Sequence, residues 1–578
     1  MMEEEKVGKG NLLERSARYL KKHGLAESGA HAAEKIRDAR FDYDRWILSR
    51  QISPAAAGYQ KHLQLRRMPV IYVMIIREKD AEDQKAYERT IESVRQSTYP
   101  KLETAETLTS HMGDQDFLAF IREGDTVTRD AFFEIAQILQ DGGDAAYTDC
   151  DSARLLPDRV RKRRDPDDPE TRREHVSFHS PLFKPDWNMD YLCSMNYIGF
   201  LFAVRIGVIR SFYEEEKPLK VPNAFSLSDP DMYYDLVLCC AIASSGREGV
   251  LHVPKVLCHI YSEERLPGKK PLERMLFHDG EPGLVACGPL PGSFHVRYEV
   301  KGEPLVSIVI PNKDSASILE NCIYSIEHRT LWNNYEIVVV ENNSSEQSVF
   351  DYYESLGSDE RVRLTAVEGS FNFSRIINEG VKEARGEYII LMNNDVTIRS
   401  GDWIGQMLSH CQRKGVGAVG PKLLYPDGRV QSCGIVAGLM GCAGSMMVGA
   451  GADDPGYMGR AVLVQDMSAV TAACMMVKRS VFCKMGGFSA DFAVALNDVD
   501  FCLRLRRSHY RIVLEPNVIL VHHESLTRGK DSETLEKRRR FAAEKALFQK
   551  KWAHFLRKGD PAYNPNLSRR KCDWSQQT

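Results

Sequence analysis

The chain has 578 residues, 43% of them apolar and 27% charged, with a formal net charge of -3. That length exceeds one ordinary core and predicts two or three domains. The near-balanced charge argues against a nucleic-acid footprint or an acidic tail, and no uninterrupted apolar run reaches the length of a membrane span.

The start, MMEEEKVGKGNLLERSARYLKKHG, lacks the apolar core of a secretory signal. Most of the fourteen cysteines sit inside apolar runs such as VLCC (237–240) and AACMMV (472–477), with no CxxC pair and no Cys/His zinc spacing. This usage predicts buried, reduced thiols in a cytoplasmic protein. Residues 1–67 read as a charged helical segment. Pro69 opens a strand, PVIYVMII, and strand-like and helical runs alternate to about 262, which predicts a first domain over 68–262. A Pro/Gly-rich linker follows over 263–303, with RLPGKKP, GEPGL and GPLPG. Pro304 opens PLVSIVIP, and alternation resumes through a second domain, 304–530. The remainder, 531–578, reads as a helix and a loop-like end, DPAYNPNLSRR. Alternation of this kind predicts α/β domains with mainly parallel sheets.

The two halves read as a repeat. PVIYVMI (69–75) matches PLVSIVI (304–310), RTIESVRQSTYP matches NCIYSIEHRTLW, and DFLAFIREGD matches EYIILMNNDV. YYDLVLCC matches DVDFCLRL, and HVPKVLCHIY stands where LEPNVILVHH stands in the second half. Five matches in the same order predict one fold used twice.

Ligands of open α/β sheets bind beyond the carboxyl ends of the strands. In the second half, polar clusters stand at four such ends: Pro311-Asn312-Lys313-Asp314, Glu341-Asn342-Asn343-Ser344, Asn393-Asn394-Asp395 and Val521-His522-His523-Glu524. A fifth, Asn497-Asp498-Val499-Asp500, opens a helix-like run. Amides and carboxylates at the tip of a buried strand are costly unless something polar meets them. Taken singly, each cluster has a plain account as a turn, a helix cap or loop histidines. Taken together they ask for one ligand.

The words SIVIPNKD, YEIVVVENNS, FNFSRIINEGVKEARGEYIILMNNDV, GPKLLYPDGRVQSCGIV, SAVTAACMMVKRSVF, MGGF, NDVDFCLRLRRSHYRIV and HHESLTRG resemble glycosyltransferase family 2, across about 304–530. The pattern is similar to the bacterial subgroup associated with O-antigen and surface-polysaccharide assembly. The resemblance implies an α/β fold of two tandem GT-A-like domains with helical N- and C-terminal segments. It implies an inverting enzyme that moves a sugar from a nucleotide-diphosphate donor to a glycan or lipid-linked acceptor. Asp395 stands at the family's metal position and would hold Mn²⁺ or Mg²⁺, with Asn393 binding ribose or metal-bound water. His522 or His523 would join that site, His522 being favoured. Pro311, Asn312, Asp314, Glu341, Asn342 and Asn394 would bind the nucleotide. Asp498 stands at the general-base position, and Thr471, Ala472 and Asn497 on the acceptor side. Asp500, Arg504 and Arg506 line the site or brace it. The resemblance also implies peripheral contact with the inner face of the membrane and with other polysaccharide-assembly proteins. The basic run EKRRRF (536–541) touches anionic lipid or is a solvated helix face.

The first half shares the likeness without the chemistry. Its metal position reads Arg122-Glu123-Gly124, where a guanidinium would repel a cation. Its base position reads Met232-Tyr233, although Asp231 could substitute after a shift. Only 18 positions separate Tyr99 from Phe117, against 53 between Tyr335 and Tyr388, so the second strand is expected to be missing. These features predict a degenerate transferase domain, with Asp149 and Asp151 structural and Arg122 in a surface ion pair. A non-catalytic carbohydrate-binding or assembly protein, and a bifunctional enzyme, are the alternatives.

Overall fold

The computed structural model describes residues 41–77, 83–156, 176–215, 223–244, 249–261, 265–278, 280–524 and 534–577. Residues 1–40 of the predicted N-terminal segment and most of the word HHESLTRG lie outside them. The chain divides into two compact units. The smaller, drawn from Met1–Gln51, Ala153–His179 and Gln576–Thr578, contains the helix Tyr43–Arg50, whose Asp44 accepts a hydrogen bond from Ser177 Oγ at 2.9 Å. The larger unit, Ile52–Ser152 and Ser180–Ser575, holds both main sheets.

The first sheet and the hairpin after it are built from β1 (Ile71–Ile76), β2 (Leu102–Thr104), β3 (Phe117–Arg122), β4 (Thr126–Val127), β5 (Ala145–Leu155), β6 (Val176–Leu182), β7 (Phe202–Arg205), β8 (Val250–Ile260), β9 (Gly283–Cys287) and β10 (Phe294–Tyr298). The second-half strands are β11 (Val306–Asn312), β12 (Tyr335–Glu341), β13 (Val362–Ala366), β14 (Tyr388–Met392), β15 (Val396–Ile398), β16 (Val416–Leu424), β17 (Val430–Ser432), β18 (Ile435–Ala437), β19 (Ala443–Ser445), β20 (Gln465–Asp466), β21 (Cys474–Lys478) and β22 (Arg511–His522). The helices that matter below are α1 (Met189–Ser194), α2 (Pro230–Ala243), α3 (Lys270–His278), α4 (Phe373–Glu383), α5 (Asn497–Arg507) and α6 (Leu535–Lys551).

The two sheets repeat one topology. The first runs β2-β1-β3-β7-β5-β8-β4, and the second runs β13-β12-β11-β14-β21-β16-β22-β15. The pairings match in sense as well as order: β1 is parallel to β2 and β3 as β11 is to β12 and β14, and β7 is antiparallel to β3 as β21 is to β14. The predicted α/β fold with a repeat is therefore the fold found. The apolar runs explain it: Tyr388–Met392 and Val306–Ile310 are buried throughout, as strands covered on both faces must be. Helix α4 lies so close over β11 and β12 that a Cβ on Gly380 would fall 2.5 Å from Val340 Cγ2 and 2.6 Å from Val309 Cγ1.

Three expectations are corrected. The second strand of the first half is not missing: the three-residue β2 pairs with β1 where β12 pairs with β11. It is partly exposed, because among the described residues no strand like β13 covers its outer edge. The 263–303 stretch is not bare linker, since it forms α3 and the hairpin β9–β10. Leu272, Leu276, Phe294, Val296 and Tyr298 enter the first-half core, so its prolines and glycines only punctuate packed elements. Arg122 is not in a surface pair: its Nε lies 3.2 Å from Asp125 Oδ2, and Asp125 is fully buried. The turn at Gly124 (φ 92°) folds Asp125 inward, where Tyr261 N donates to its other oxygen.

The halves are joined by buried polar contacts. Asp190 on α1 accepts from Arg413 and from Arg511 Nη1, the latter at 2.5 Å. Asn188 and Asp466 exchange two bonds of 2.9 Å. The end segment threads the seam. Asn564 Nδ2 donates to Asp149 Oδ2 and to Lys184 O, both at 2.9 Å, and Asp560 accepts from Ala437 N at 2.7 Å.

Candidate functional site

The carboxyl ends of β11, β12, β14 and β22, with the N-terminus of α5, surround one cleft of about 620 Å³. That is an ordinary size for a small-molecule site. The tip of β11 supplies Pro311, Asn312 and Asp314, and the tip of β12 supplies Asn342. The tip of β14 supplies Asn393, Asn394 and Asp395. Thr471 and Ala472 come from the segment before β21, Asn497 and Asp498 from α5, and His522 from the end of β22.

Strand register brings these groups together. Met392 pairs with Cys474 across β14 and β21, so Asn393 N donates to Ala473 O at 3.1 Å. Val396 pairs with His522 across β15 and β22, and His522 Nε2 stands 3.1 Å from Asp395 Oδ1 and 3.2 Å from Asn393 Nδ2. The neighbouring His523 turns instead to Thr397 Oγ1, 3.4 Å away, which separates the two histidines by geometry. Asp395 Oδ1 and His522 Nδ1 are buried with no hydrogen-bond partner among the described residues. The imidazole's approach to Asp395 is close in distance but lacks hydrogen-bond geometry. A carboxylate oxygen left unpaired beside an imidazole and an amide is a donor set that fits Mn²⁺ or Mg²⁺ with few protein ligands.

The other loops are braced against each other. Asn394 Nδ2 donates to Asn312 Oδ1 at 2.6 Å, and Asn312 Nδ2 donates to Tyr353 Oη at 2.8 Å. Asp314 sits in a left-handed conformation (φ 52°) and accepts from Ser345 N at 2.6 Å and Glu346 N at 3.1 Å. The backbone N–H of Ser345, more than any other group, holds its carboxyl below the usual range. Asn342 Nδ2 donates to Val367 O at 2.7 Å. Glu341 departs from the sequence expectation. It does not line the cleft, because its oxygens accept from Ser344 and from Tyr353 Oη. It shapes the loop that presents Asn342.

Asp498 faces the cleft from the first turn of α5, which follows a left-handed Leu496 (φ 64°). Its Oδ2 accepts from Ala472 N at 3.1 Å and its Oδ1 from Val499 N at 2.8 Å. Burial raises its pKa, and these amides only partly offset that. Behind it, Asp500 is a brace: it accepts from Arg504 Nε and Trp552 Nε1, each at 2.9 Å. Arg504 and Arg506 donate to backbone carbonyls, including Gly487 O and Met467 O. None of these three lines the cleft.

The same positions in the first half are filled differently. Tyr233 on α2 donates to Gly199 O at 2.7 Å and stacks on Phe200 at 4.4 Å. Asp231 accepts from Gly268 N. Asp149 is buried between His252, Asn564 and Lys184 N, and Asp151 accepts from or pairs with His259, so both are structural.

Sequence reading assigned no role to Phe371, Gln431 and Glu346, which also line the cleft. On β17, Val430 and Ser432 are buried and Gln431 between them is half-buried, the ordinary alternation of a strand, so nothing local in the sequence marks Gln431 as facing a cleft.

A cleft over parallel strand tips, with a carboxylate–imidazole pole and a second, half-buried carboxylate, has the position and the polar groups of a ligand site on an open α/β sheet. Residues 307–485 match the model of Glycosyl transferase family 2. That stretch of the second half, 307–485, is a member of the family. The O-antigen biosynthesis protein RfbC of Myxococcus xanthus is 30% identical over 475 residues, 78% of this chain and 34% of that protein. The uncharacterized protein y4gI of Sinorhizobium fredii is 37% identical over 418 residues, 68% of this chain and 44% of that protein. The chain thus spans less than half the length of these relatives. Among solved structures, mannosyltransferase PcManGT from Pyrobaculum calidifontis in complex with GDP-Man and Mn²⁺ aligns at 19% identity, over 49% of this chain and 71% of that one, with a TM-score of 0.33.

Proposed function

We propose that the chain is an inverting, metal-dependent glycosyltransferase that moves a sugar from a nucleotide-diphosphate donor to a hydroxyl of a glycan or lipid-linked acceptor. One observation carries this reading: the unpaired Asp395 oxygen beside His522 and the half-buried, amide-held Asp498 open into the same cleft. Pro311, Asn312, Asp314, Asn342 and Asn394 would hold the nucleotide, and Thr471, Ala472 and Asn497 the acceptor side. Asp395, His522 and the Asn393 amide would hold the divalent metal, which when bound supplies charge to neutralise the departing diphosphate. Asp498 takes the proton from the acceptor hydroxyl as its oxygen attacks the anomeric carbon and the bond to the diphosphate breaks. A single displacement inverts that carbon.

The first half is read as a non-catalytic brace, supported by Tyr233 and Arg122 standing where Asp498 and Asn393 stand in the second half. The surface-polysaccharide setting is supported by the likeness to RfbC, an O-antigen biosynthesis protein. No described helix is long and apolar enough to cross a membrane, so contact with the inner membrane face or with other assembly proteins is proposed as peripheral.

Titration of wild-type and Asp395→Ala protein with UDP, dTDP and GDP, with and without Mn²⁺, tests the reading. Metal-dependent binding of one nucleotide, lost in the variant, is the expected result. Failure of all three would leave a non-catalytic binding protein.

A further inference from the structure

Gln431 lies on β17, between Val430 and Ser432, and lines the cleft. Its Oε1 is buried and has no hydrogen-bond partner among the described residues. A buried amide oxygen left unpaired costs stability unless a ligand meets it. Register fixes its level: Val430 pairs with Leu424 on β16, and Leu424 pairs with Val521, the residue before His522. From the other direction, the two hydrogen bonds between Ile435 and Ala469 turn the chain back toward Thr471–Ala473. Gln431 therefore stands on the wall between the Asp395–His522 pole and the Thr471–Ala473 wall. A carbonyl oxygen can only accept a hydrogen bond. Phosphate oxygens at neutral pH are themselves acceptors and cannot satisfy it, so its partner is an O–H or N–H donor; β17 pairs with β16, across the sheet from the β11 and β12 tips proposed to hold the nucleotide, which leaves the hydroxyls of a sugar on this side.

We propose that Gln431 reads the transferred sugar, its Oε1 accepting a hydrogen bond from one sugar hydroxyl. This rests on the glycosyltransferase reading, in which the anomeric carbon sits between the diphosphate pole and Asp498. The shared chemistry is a hydroxyl, and an acceptor sugar is the other source of one.

The test compares wild-type protein with Gln431→Leu. Each is titrated in Mn²⁺ with UDP, GDP and dTDP, and with UDP-glucose, UDP-galactose, UDP-N-acetylglucosamine and GDP-mannose. The quantity read is the affinity of a sugar nucleotide relative to its own nucleoside diphosphate, which cancels any inactive fraction. Loss of one neutral hydrogen bond lowers that ratio about tenfold while the nucleoside diphosphate binds as before. Gln431→Met, unbranched and of similar length, repeats the measurement should leucine disturb β17. An unchanged ratio overturns the proposal, and if the KM for a glycoside acceptor rises at the same time, the amide belongs to the acceptor instead. Equal weakening of nucleotide and sugar nucleotide marks a structural role and also overturns it. If the wild-type protein binds no nucleotide at all, the parent reading fails and this one with it, a result distinct from the other two.

Discussion

At the scale of single residues, Asp498 and Asp395 separate chemistry from binding. Asp498→Asn keeps the volume and the contact with Ala472 N but cannot take a proton. Turnover should fall by about 10²–10⁴-fold with nucleotide binding retained, measured as initial rate beside a binding isotherm. Burial places the Asp498 pKa above the ordinary aspartate range, and the base must be ionised to work. The rate should therefore drop as pH falls through that raised value, giving an acid limb above the usual carboxylate region. A limb at the ordinary aspartate value would sink the assignment. The spacing of Asn393-x-Asp395 and Asn497-Asp498 was legible because each follows a recognisable strand or begins a helix. The direction of Glu341 was not. Its partner Tyr353 stands twelve positions on, and only the packing of the next helix brings that hydroxyl to it.

At the scale of elements, α4 shows how closely the site's scaffold is packed. Its FNFS word holds the segment before α5, with Phe373 N donating to Ala493 O at 2.7 Å and Ser374 Oγ to Phe492 O at 2.6 Å. Gly380 lets α4 sit on Val309 and Val340 without a methyl between them. Gly380→Ala gains helix propensity but overpacks this contact, and should destabilise by about 1–3 kcal/mol. A lower urea midpoint at unchanged m-value would show it, and an unchanged midpoint would mean the contact relaxes freely. Helix α5 is held from behind by Asp500, which meets Arg504, Trp552 and Lys551 Nζ at 2.7 Å. The sequence left Asp500 undecided between lining and bracing. Trp552 is 52 positions away, so its role depends on where the tail lies.

At the scale of the whole molecule, the seam between the halves makes two predictions. Asp190 is buried between Arg413 and Arg511. Asp190→Ala takes this carboxylate from Arg511 and leaves Arg413 only Glu281, 3.3 Å from its Nε, and should cost about 3–5 kcal/mol, read by denaturant titration. A much smaller loss would mean that water reaches the pair. His252 is also buried, which disfavours its charge, yet the Asp149 and Asp186 carboxylates outweigh that and raise its pKa from 6.5 to about 9. A raised value means the folded protein holds this proton more tightly than the unfolded chain does. The stabilisation is full below pH 6.5 and is lost as pH rises through about 9. Thermal midpoints should therefore decline over that window, and His252→Gln should flatten the decline.

The sequence by itself determined the α/β class, the repeat and the polar strand tips, because buried runs and the clusters that end them are local patterns. PVIYVMI and PLVSIVI match as written along the chain. Which tip residues meet was decided by tertiary structure. His522 rather than His523 faces Asp395 because the β15–β22 register selects one of two adjacent side chains, and neighbours on a strand point to opposite faces. The 263–303 stretch looked like linker because its prolines and glycines are local, whereas its packing depends on a distant core. Asn564 reaching Asp149 spans 415 positions, and no pattern along the chain carries contacts of that range.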